Sequence, residues 1–240
     1  MTTPMDKLLN QLLDKLRKAH EERLVSVVLY GSAAAGDYRA KFSDLNILCV
    51  LSEITANQLG ASEEVFRWWR EQGSPSPLLI TEQELISCTD CFAIEFHDIQ
   101  CHHRLLFGKD VIGPLEVDHS FYRAQVEHDL RAKLYRLRQK AAGMLSDSDL
   151  LRRLLLDSIS TFCVLFRHAL ILHGLDGPAG KREVIAGAKA RFDIDTLPFE
   201  RLLDVREELL KPREVEPATL LGPYLKGISA VIDAVDHLEK

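Results

Sequence analysis

The hydrophobic pattern changes partway along the 240-residue chain. In the first half, short apolar runs of strand length alternate with helical stretches, whereas every periodic segment of the second half repeats at helical spacing. Gly113 and Pro114 mark the change. We therefore predict an α+β fold, in which residues 1–115 form a small mixed β-sheet with flanking helices and residues 116–240 form an all-α bundle of four or five helices.

Five apolar runs of the first half have the length of strands. They lie at residues 24–30, 45–51, 78–80, 92–99 and 103–107. The first two (LVSVVLY and LNILCVL) are continuous β-branched and apolar runs, which is typical of buried strands.

Two helices of this half have clear start signals. Thr3 can cap the first helix, Pro4 fits its first position, and Asp6 favours the positive helix start. Thr81 and Glu84 have the spacing of a capping box and predict a brief second helix.

Composition limits the classes of partner. The net charge of −6 argues against a broad nucleic-acid surface or an anionic membrane partner. The most apolar run, residues 154–172, contains Asp157 and Arg167, which predicts a buried helix and not a membrane span. The first six residues are largely polar, so we expect no signal peptide, and five irregularly spaced cysteines favour a reducing cytoplasm.

The stretch most informative about chemistry is YGSAAAGDYRAKFSDLNILCV, residues 30–50. Gly31 allows backbone N–H groups to approach an anion closely, and Ser32 adds a hydroxyl donor at the start of a small-residue turn. In the next strand Asp44 and Asn46 project to the same side, where two oxygen ligands would suit a Mg²⁺ ion shared with a triphosphate.

This pattern resembles the signature of the DNA polymerase β-like nucleotidyltransferases: Gly-Ser, a short helical turn, then Asp-x-Asp at the start of the next strand. In size and layout the chain is similar to the minimal and kanamycin-type members, which carry an appended helical bundle. The resemblance implies that Gly31 and Ser32 hold the phosphates of an NTP. It also implies that Asp44 binds Mg²⁺ or Mn²⁺ and that a later strand supplies a third carboxylate.

Two residues are candidates for that third carboxylate. If residues 92–99 form a regular strand, Glu95 and Asp98 lie on opposite faces, so at most one of them serves. Glu95 lies mid-strand, as the third acidic residue does in the relatives, and it is the favoured candidate.

The chain departs from the family at Asn46, where the relatives have a second acidic residue. Asparagine can coordinate a metal but carries no charge, and a unit-charge pair 4 Å apart is worth about 4 kcal/mol at an effective dielectric constant near 20. The predicted catalytic and metal-binding set is therefore Asp44, Asn46 and Glu95. Near the phosphates, Arg39 extends the nucleotide-binding set, and Lys41 lies beside it in the sequence.

Two hypotheses about function follow. The first is an enzyme that moves a nucleoside monophosphate from an NTP to a hydroxyl of a small molecule or protein, with Glu127 or Asp129 as a possible base. The second is a catalytically degenerate protein that binds nucleotide or acts as a scaffold, which Asn46 favours.

Two weaker patterns remain. Arg167 and His173 resemble the Arg-polar-x4-His motif of the HEPN ribonucleases, but on one continuous helix they face different sides unless the helix unwinds. A second group has the residue types of a zinc site but lacks tight knuckles, so we expect its cysteines to be packed as small apolar side chains. Its members are Cys88, Cys91, Cys101, His102 and His103.

Overall fold

The computed structural model describes residues 3–36, 44–178 and 180–238. They form two compact units, which divide between Ser120 and Phe121. Each unit is described separately below.

The first unit is built around a four-stranded mixed sheet. Its strands are β1 (Leu24–Tyr30), β2 (Asn46–Leu51), β3 (Leu78–Thr81) and β4 (His103–Gly108). Their order is β3-β2-β1-β4; β1 pairs antiparallel with β2 and β4, and β2 pairs parallel with β3. The sequence predicted each of these strands to within one residue at either end.

Helices cover both faces of the sheet. Alternate side chains of β1 and β2 pack against α1 (Pro4–His20) and α2 (Ala56–Glu71). The intervening side chains pack against α3 (Glu82–Ser87) and α4 (Ala93–Cys101). This two-sided burial explains why both strands are continuous apolar runs without polar alternation.

Helix starts follow the sequence signals. The Thr3 hydroxyl accepts from the Asp6 N–H at 3.1 Å, and the Thr3 N–H donates to the Asp6 carboxylate at 3.3 Å. The same reciprocal pair joins Thr81 and Glu84 at the start of α3. The predicted caps are therefore confirmed.

The predicted strand at residues 92–99 is wrong, because this segment forms most of α4. Ala93, Phe96 and Ile99 are all buried, and their three-residue spacing keeps them on one side of a helix. Glu95 and Asp98 are likewise three positions apart, so they lie on one side of α4 and not on opposite faces.

The second unit is all-helical in its described residues. Its α-helices are α5 (Tyr122–Ala142), α6 (Ser148–Leu172), α7 (Lys181–Phe192), α8 (Leu197–Arg206) and α9 (Pro217–Asp236). Buried aromatic rings form its centre: those of Phe162 and Tyr224 lie 5.8 Å apart, and those of Phe199 and Tyr224 lie 4.8 Å apart.

Two helices of this unit, α6 and α9, are long and apolar enough to cross a membrane. Both pack against other helices of the unit, and α6 contacts α5, α7, α8 and α9. Its buried residues include Ile159, Phe166 and the polar His168. This is the environment of a core helix. A long core helix also meets the criteria of length and composition for a membrane span.

Candidate functional site

A tight turn follows β1 and forms the centre of the candidate site. Gly31 has φ of +76°, a left-handed conformation that favours glycine, and its carbonyl accepts from the N–H groups of Ala34 and Ala35 at 3.0 Å. The Gly31 N–H itself donates to the carbonyl of His102 at 3.2 Å. The first N–H groups after it, of Ser32 and Ala33, are those that a helical turn leaves without internal partners, so they are the donors suited to an anion.

Asn46 lies directly beside this turn. A Cβ atom added to Gly31 would meet the Asn46 side-chain nitrogen at 3.2 Å. Asn46 also pairs with Tyr30 across the β1–β2 ladder, and paired residues of antiparallel strands project to the same face. The half-buried amide therefore lies on the face of the sheet that α4 covers.

Asp44 precedes the first residue of β2 by two positions. It is exposed, and it forms no ion pair with another described residue. Between them, Leu45 is buried in the core on the α1 and α2 side of the sheet. That arrangement is compatible with Asp44 and Asn46 projecting to one side, but Asp44 lies outside the ladder, so their shared side stays a prediction.

Glu95 lies in the first turn of α4, the helix that packs on the Asn46 face of the sheet. Burial raises the pKa of the Tyr30 phenol, and the negative charge of Glu95 raises it further. An electrostatic effect of this kind weakens with distance, so it favours Glu95 as the carboxylate on the Tyr30 side of α4. The reasoning that selected Glu95 assumed a strand and was wrong, and Asp98 shares its side of the helix, so both carboxylates stay candidates.

Sequence reasoning did not assign Tyr30 to this region, and it considered His103 only as a member of the zinc-type group. His103 pairs with Tyr30 across the β1–β4 ladder. Its Nδ1 lies 3.1 Å from the carbonyls of Ile99 and Gln100, so Nδ1 carries a proton and donates it in these hydrogen bonds. Its Nε2 lies 3.8 Å from the Asp110 carboxylate. Only the pairing of two strands distant in the chain brings Tyr30 and His103 together, and no local motif reports it.

Two predicted contributors, Arg39 and Lys41, lie outside the described residues, in the gap between residues 36 and 44. Their role near the phosphates stays a prediction. The site residues that the structure describes offer carboxylate and amide oxygens, and none of those discussed above is a lysine or an arginine.

The donor types suit a hard divalent cation. Asp44, Asn46 and Glu95 offer oxygen atoms, which Mg²⁺ and Mn²⁺ prefer. The observation that supports the fit is the position of the Asn46 amide, which lies against the Gly31 turn at the start of β2. One of the three donors is uncharged, so we expect such a site to bind the metal more weakly than one with three carboxylates.

The cysteines and histidines near α4 do not form a zinc site within the described part of the chain. No three members of the group Cys88, Cys91, Cys101, His102 and His103 bring their ligand atoms together. The side chain of Cys101 instead lies 3.8 Å from His97 Nδ1, and His103 bonds to backbone carbonyls. The expectation that these cysteines are packed as small apolar side chains is wrong, however, because Cys91 and Cys101 are exposed and Cys88 is only partly buried.

The ribonuclease pattern on α6 does not acquire the required geometry. The helix is regular through Leu172, and the His173 N–H still donates to the Ala169 carbonyl at 3.2 Å. His173 Nδ1 accepts from the Arg191 guanidinium at 2.9 Å, while burial and the Arg191 charge lower the pKa of the imidazole. The unwinding that would bring His173 round to Arg167 is therefore not present.

The proposed base Glu127 is held by two arginines. Its carboxylate contacts Arg123 at 3.0 Å and Arg131 at 2.8 Å, and the hydrogen bond from Arg131 is the main reason that its pKa is lowered. A carboxylate stabilised in this way accepts a proton poorly, so Glu127 is ill-suited as a general base. Asp129 is partly exposed and lies 3.1 Å from His128 Nδ1.

The sequence matches no protein-family model and no curated protein sequence. Among solved structures it is similar to the spectinomycin adenyltransferase AAD(9) from Enterococcus faecialis, determined with ATP and spectinomycin. The two share 16% sequence identity with a TM-score of 0.60, over 96% of this chain and 99% of that one.

A second structure, a toxin-antitoxin with AMP-PNP, aligns at 16% identity over 42% of this chain and 73% of its own. Its TM-score of 0.30 is too low to support an argument. At this level of identity the first likeness establishes the fold. The chain therefore shares the α+β fold of that structure along nearly its whole length.

Proposed function

We propose that this protein transfers a nucleoside monophosphate from an NTP to a hydroxyl group of a small molecule, with the help of Mg²⁺ or Mn²⁺. The observation that carries the proposal is the convergence at one end of the sheet. The Gly31 turn lies against the side chain of Asn46, the first residue of β2, and Asp44 precedes Asn46 by two positions. An anion-binding turn beside oxygen donors is the combination that a metal-bound triphosphate requires.

Each residue has a separate task in this proposal. The N–H groups at the start of the turn and the Ser32 hydroxyl bind phosphate oxygens. Asp44, Asn46 and Glu95 would hold the divalent cation, which supplies neutralisation of charge on the α-phosphate when bound. Tyr30 stays a neutral phenol at physiological pH because its pKa is raised, so it adds no negative charge beside the phosphates.

The transfer balances without any further reagent. The acceptor oxygen forms a bond to the α-phosphorus while the bond from that phosphorus to the bridging oxygen breaks. Pyrophosphate leaves with the bonding electron pair, and the hydroxyl proton passes to a base. Asp98, which shares one side of α4 with Glu95, is the better candidate for that base, since Glu127 is paired with two arginines.

A small-molecule acceptor is favoured over a protein acceptor. The full-length structural likeness is to a protein whose structure contains ATP and spectinomycin, which supports the choice by analogy of fold. The charge of −6 also supports an acceptor other than a nucleic acid. Free thiols at all five cysteines support a reducing compartment such as the cytoplasm.

The test is pyrophosphate release from each of the four NTPs with Mn²⁺ or Mg²⁺ and a panel of hydroxyl-bearing small molecules. We expect release with at least one pair, together with an acceptor whose mass increases by one nucleoside monophosphate. Asp44→Asn and Glu95→Gln should abolish it. Glu63→Gln is the matched control, because Glu63 is exposed on α2 and pairs only with its helical neighbour Arg67 at 3.1 Å.

A second candidate function is nucleotide binding without turnover, which the uncharged Asn46 specifically favours. It predicts calorimetric NTP binding that depends on Ser32 and Asp44 but no pyrophosphate release with any acceptor. Absence of binding to every NTP at millimolar concentration would contradict both candidates.

A further inference from the structure

A groove runs between α5 and α6 in the helical unit, with a volume of about 170 Å³. We refer to it as the basic groove. Residues that define its chemistry are Lys133, Arg136, Leu137, Lys140, Asp157 and Phe162. None of them belongs to the nucleotide site described above.

The three cations line one side of this groove. Lys133, Arg136 and Lys140 are separated by three and four positions, which places them along one stripe of α5. The facing helix α6 contributes a single acid, Asp157. The lining therefore carries an excess of two positive charges in a protein whose net charge is −6.

These cations differ from the other arginines of α5. Arg123 and Arg131 both bond to Glu127, and Arg138 donates to the Ser229 hydroxyl at 3.2 Å. Lys133, Arg136 and Lys140, by contrast, form no ion pair or side-chain hydrogen bond with any other described residue of the chain. Three exposed cations that repel one another and lack protein partners are suited to an external anion.

The floor of the groove is apolar. Leu137 and Phe162 are both buried and form its base. At about 30 Å³ for each water molecule, the volume corresponds to roughly five or six waters, which suits a small ligand and not a folded partner. A fitting ligand combines one multiply charged anionic group with a compact apolar part.

We propose that the basic groove binds a small phosphate monoester with an apolar substituent. The phosphate lies between Lys133, Arg136 and Lys140, and the substituent lies on Leu137 and Phe162. Arginine and lysine bind phosphate oxygens through charge-assisted hydrogen bonds, whereas the apolar floor favours an organic phosphate over inorganic phosphate. This function is additional to the proposed nucleotidyl transfer and does not depend on it.

The test is calorimetric titration of the full chain with phenyl phosphate, and with inorganic phosphate and phenol for comparison. We expect phenyl phosphate to bind more tightly than either, and its affinity to fall as salt is added, because salt screens exposed charges. Each of Lys133→Gln, Arg136→Gln and Lys140→Gln should weaken binding by up to about fivefold, since an exposed ion pair contributes up to about 1 kcal/mol.

Two control variants distinguish this groove from other sites. Arg138→Gln removes the same charge from the same helix, and Asp44→Asn alters the nucleotide site, so neither should change the affinity for phenyl phosphate. The proposal would be overturned if Arg138→Gln lost as much affinity for phenyl phosphate as the groove variants do. It would also be overturned if the variant carrying Lys133→Gln, Arg136→Gln and Lys140→Gln together lost no affinity. A third result would also overturn it: binding of a single-stranded oligonucleotide through these three cations without binding of phenyl phosphate. That result would identify the groove as a surface for polyanions.

Discussion

Restoring an acidic residue at position 46 is the sharpest test of the candidate metal site. Asn46→Asp replaces the side-chain amide with a carboxylate of nearly the same shape. The Asn46 side chain is half-buried, lies against the Gly31 turn, and projects from β2 beside Tyr30. The change therefore adds a third carboxylate to the candidate set of Asp44 and Glu95 with little change in packing.

The magnitude follows from the charge and the degree of burial. Two unit charges 4 Å apart interact by about 1 kcal/mol in water and about 4 kcal/mol at an effective dielectric constant of 20, and a divalent ion doubles both values. Because Asn46 is only half-buried, we take the lower end, about 2 kcal/mol, which corresponds to roughly thirtyfold tighter metal binding. Without metal, repulsion from Glu95 should lower the free energy of unfolding by less than about 1 kcal/mol.

The assay is titration of Mn²⁺ by calorimetry in the presence of a non-hydrolysable NTP analogue, for the original chain and for Asn46→Asp. Asn57→Asp makes the same change of charge at an exposed position near the start of α2 and serves as the control. The reasoning is refuted if Asn46→Asp leaves Mn²⁺ affinity unchanged, or if Asn57→Asp increases it equally. Either result would mean that the side chain at position 46 does not coordinate the metal.

Three further predictions concern stability and the turn. Burial lowers the pKa of His20 below its usual 6.5, so the unfolded state takes up the proton more readily than the folded state. The free energy of unfolding should therefore fall as the pH drops below about 6.5. In urea unfolding, His20→Gln should show a smaller fall over the same pH range. Gly227→Ala would place a Cβ 2.8 Å from the ring of Phe199 and should lower the free energy of unfolding by about 1–3 kcal/mol in denaturant titrations. The Cβ of Gly60→Ala meets no atom within 4 Å, so this variant should raise the free energy of unfolding by about 0.5–1 kcal/mol. Gly31→Ala forces a left-handed residue at a cost of about 1–2 kcal/mol, and we expect NTP binding by calorimetry to be lost with it; retained affinity would show that the turn does not hold the phosphates.

The strands and helix starts could be predicted because their causes are local. A buried strand such as Leu24–Tyr30 is a continuous apolar run, and the Thr3 and Thr81 caps are three-residue patterns. The segment at residues 92–99 could not be predicted in this way. Phe92, Ile94 and Phe96 satisfy strand alternation, whereas Ala93, Phe96 and Ile99 satisfy helical spacing. Only packing onto the sheet decides between the two patterns.

The candidate site was predicted in part for the same reason. Gly31 directly follows β1 and Asn46 begins β2, so their proximity follows from one antiparallel pairing. His103 lies opposite Tyr30 only because β4 also pairs with β1, and that register depends on contacts distant in sequence. Glu95 was selected by an argument about strand faces that does not apply to a helix.

The pairing of β1 with β4 has a consequence for the order of folding. The β1–β2 pairing joins neighbouring strands, but β4 must return across the intervening α2, β3, α3 and α4 before Gly31 N–H meets the His102 carbonyl. Long-range pairings of this kind carry a larger loop-closure entropy and form slowly. The Gly31 turn is therefore completed late, so a chain still being synthesised cannot finish this turn until the segment through β4 has emerged and docked.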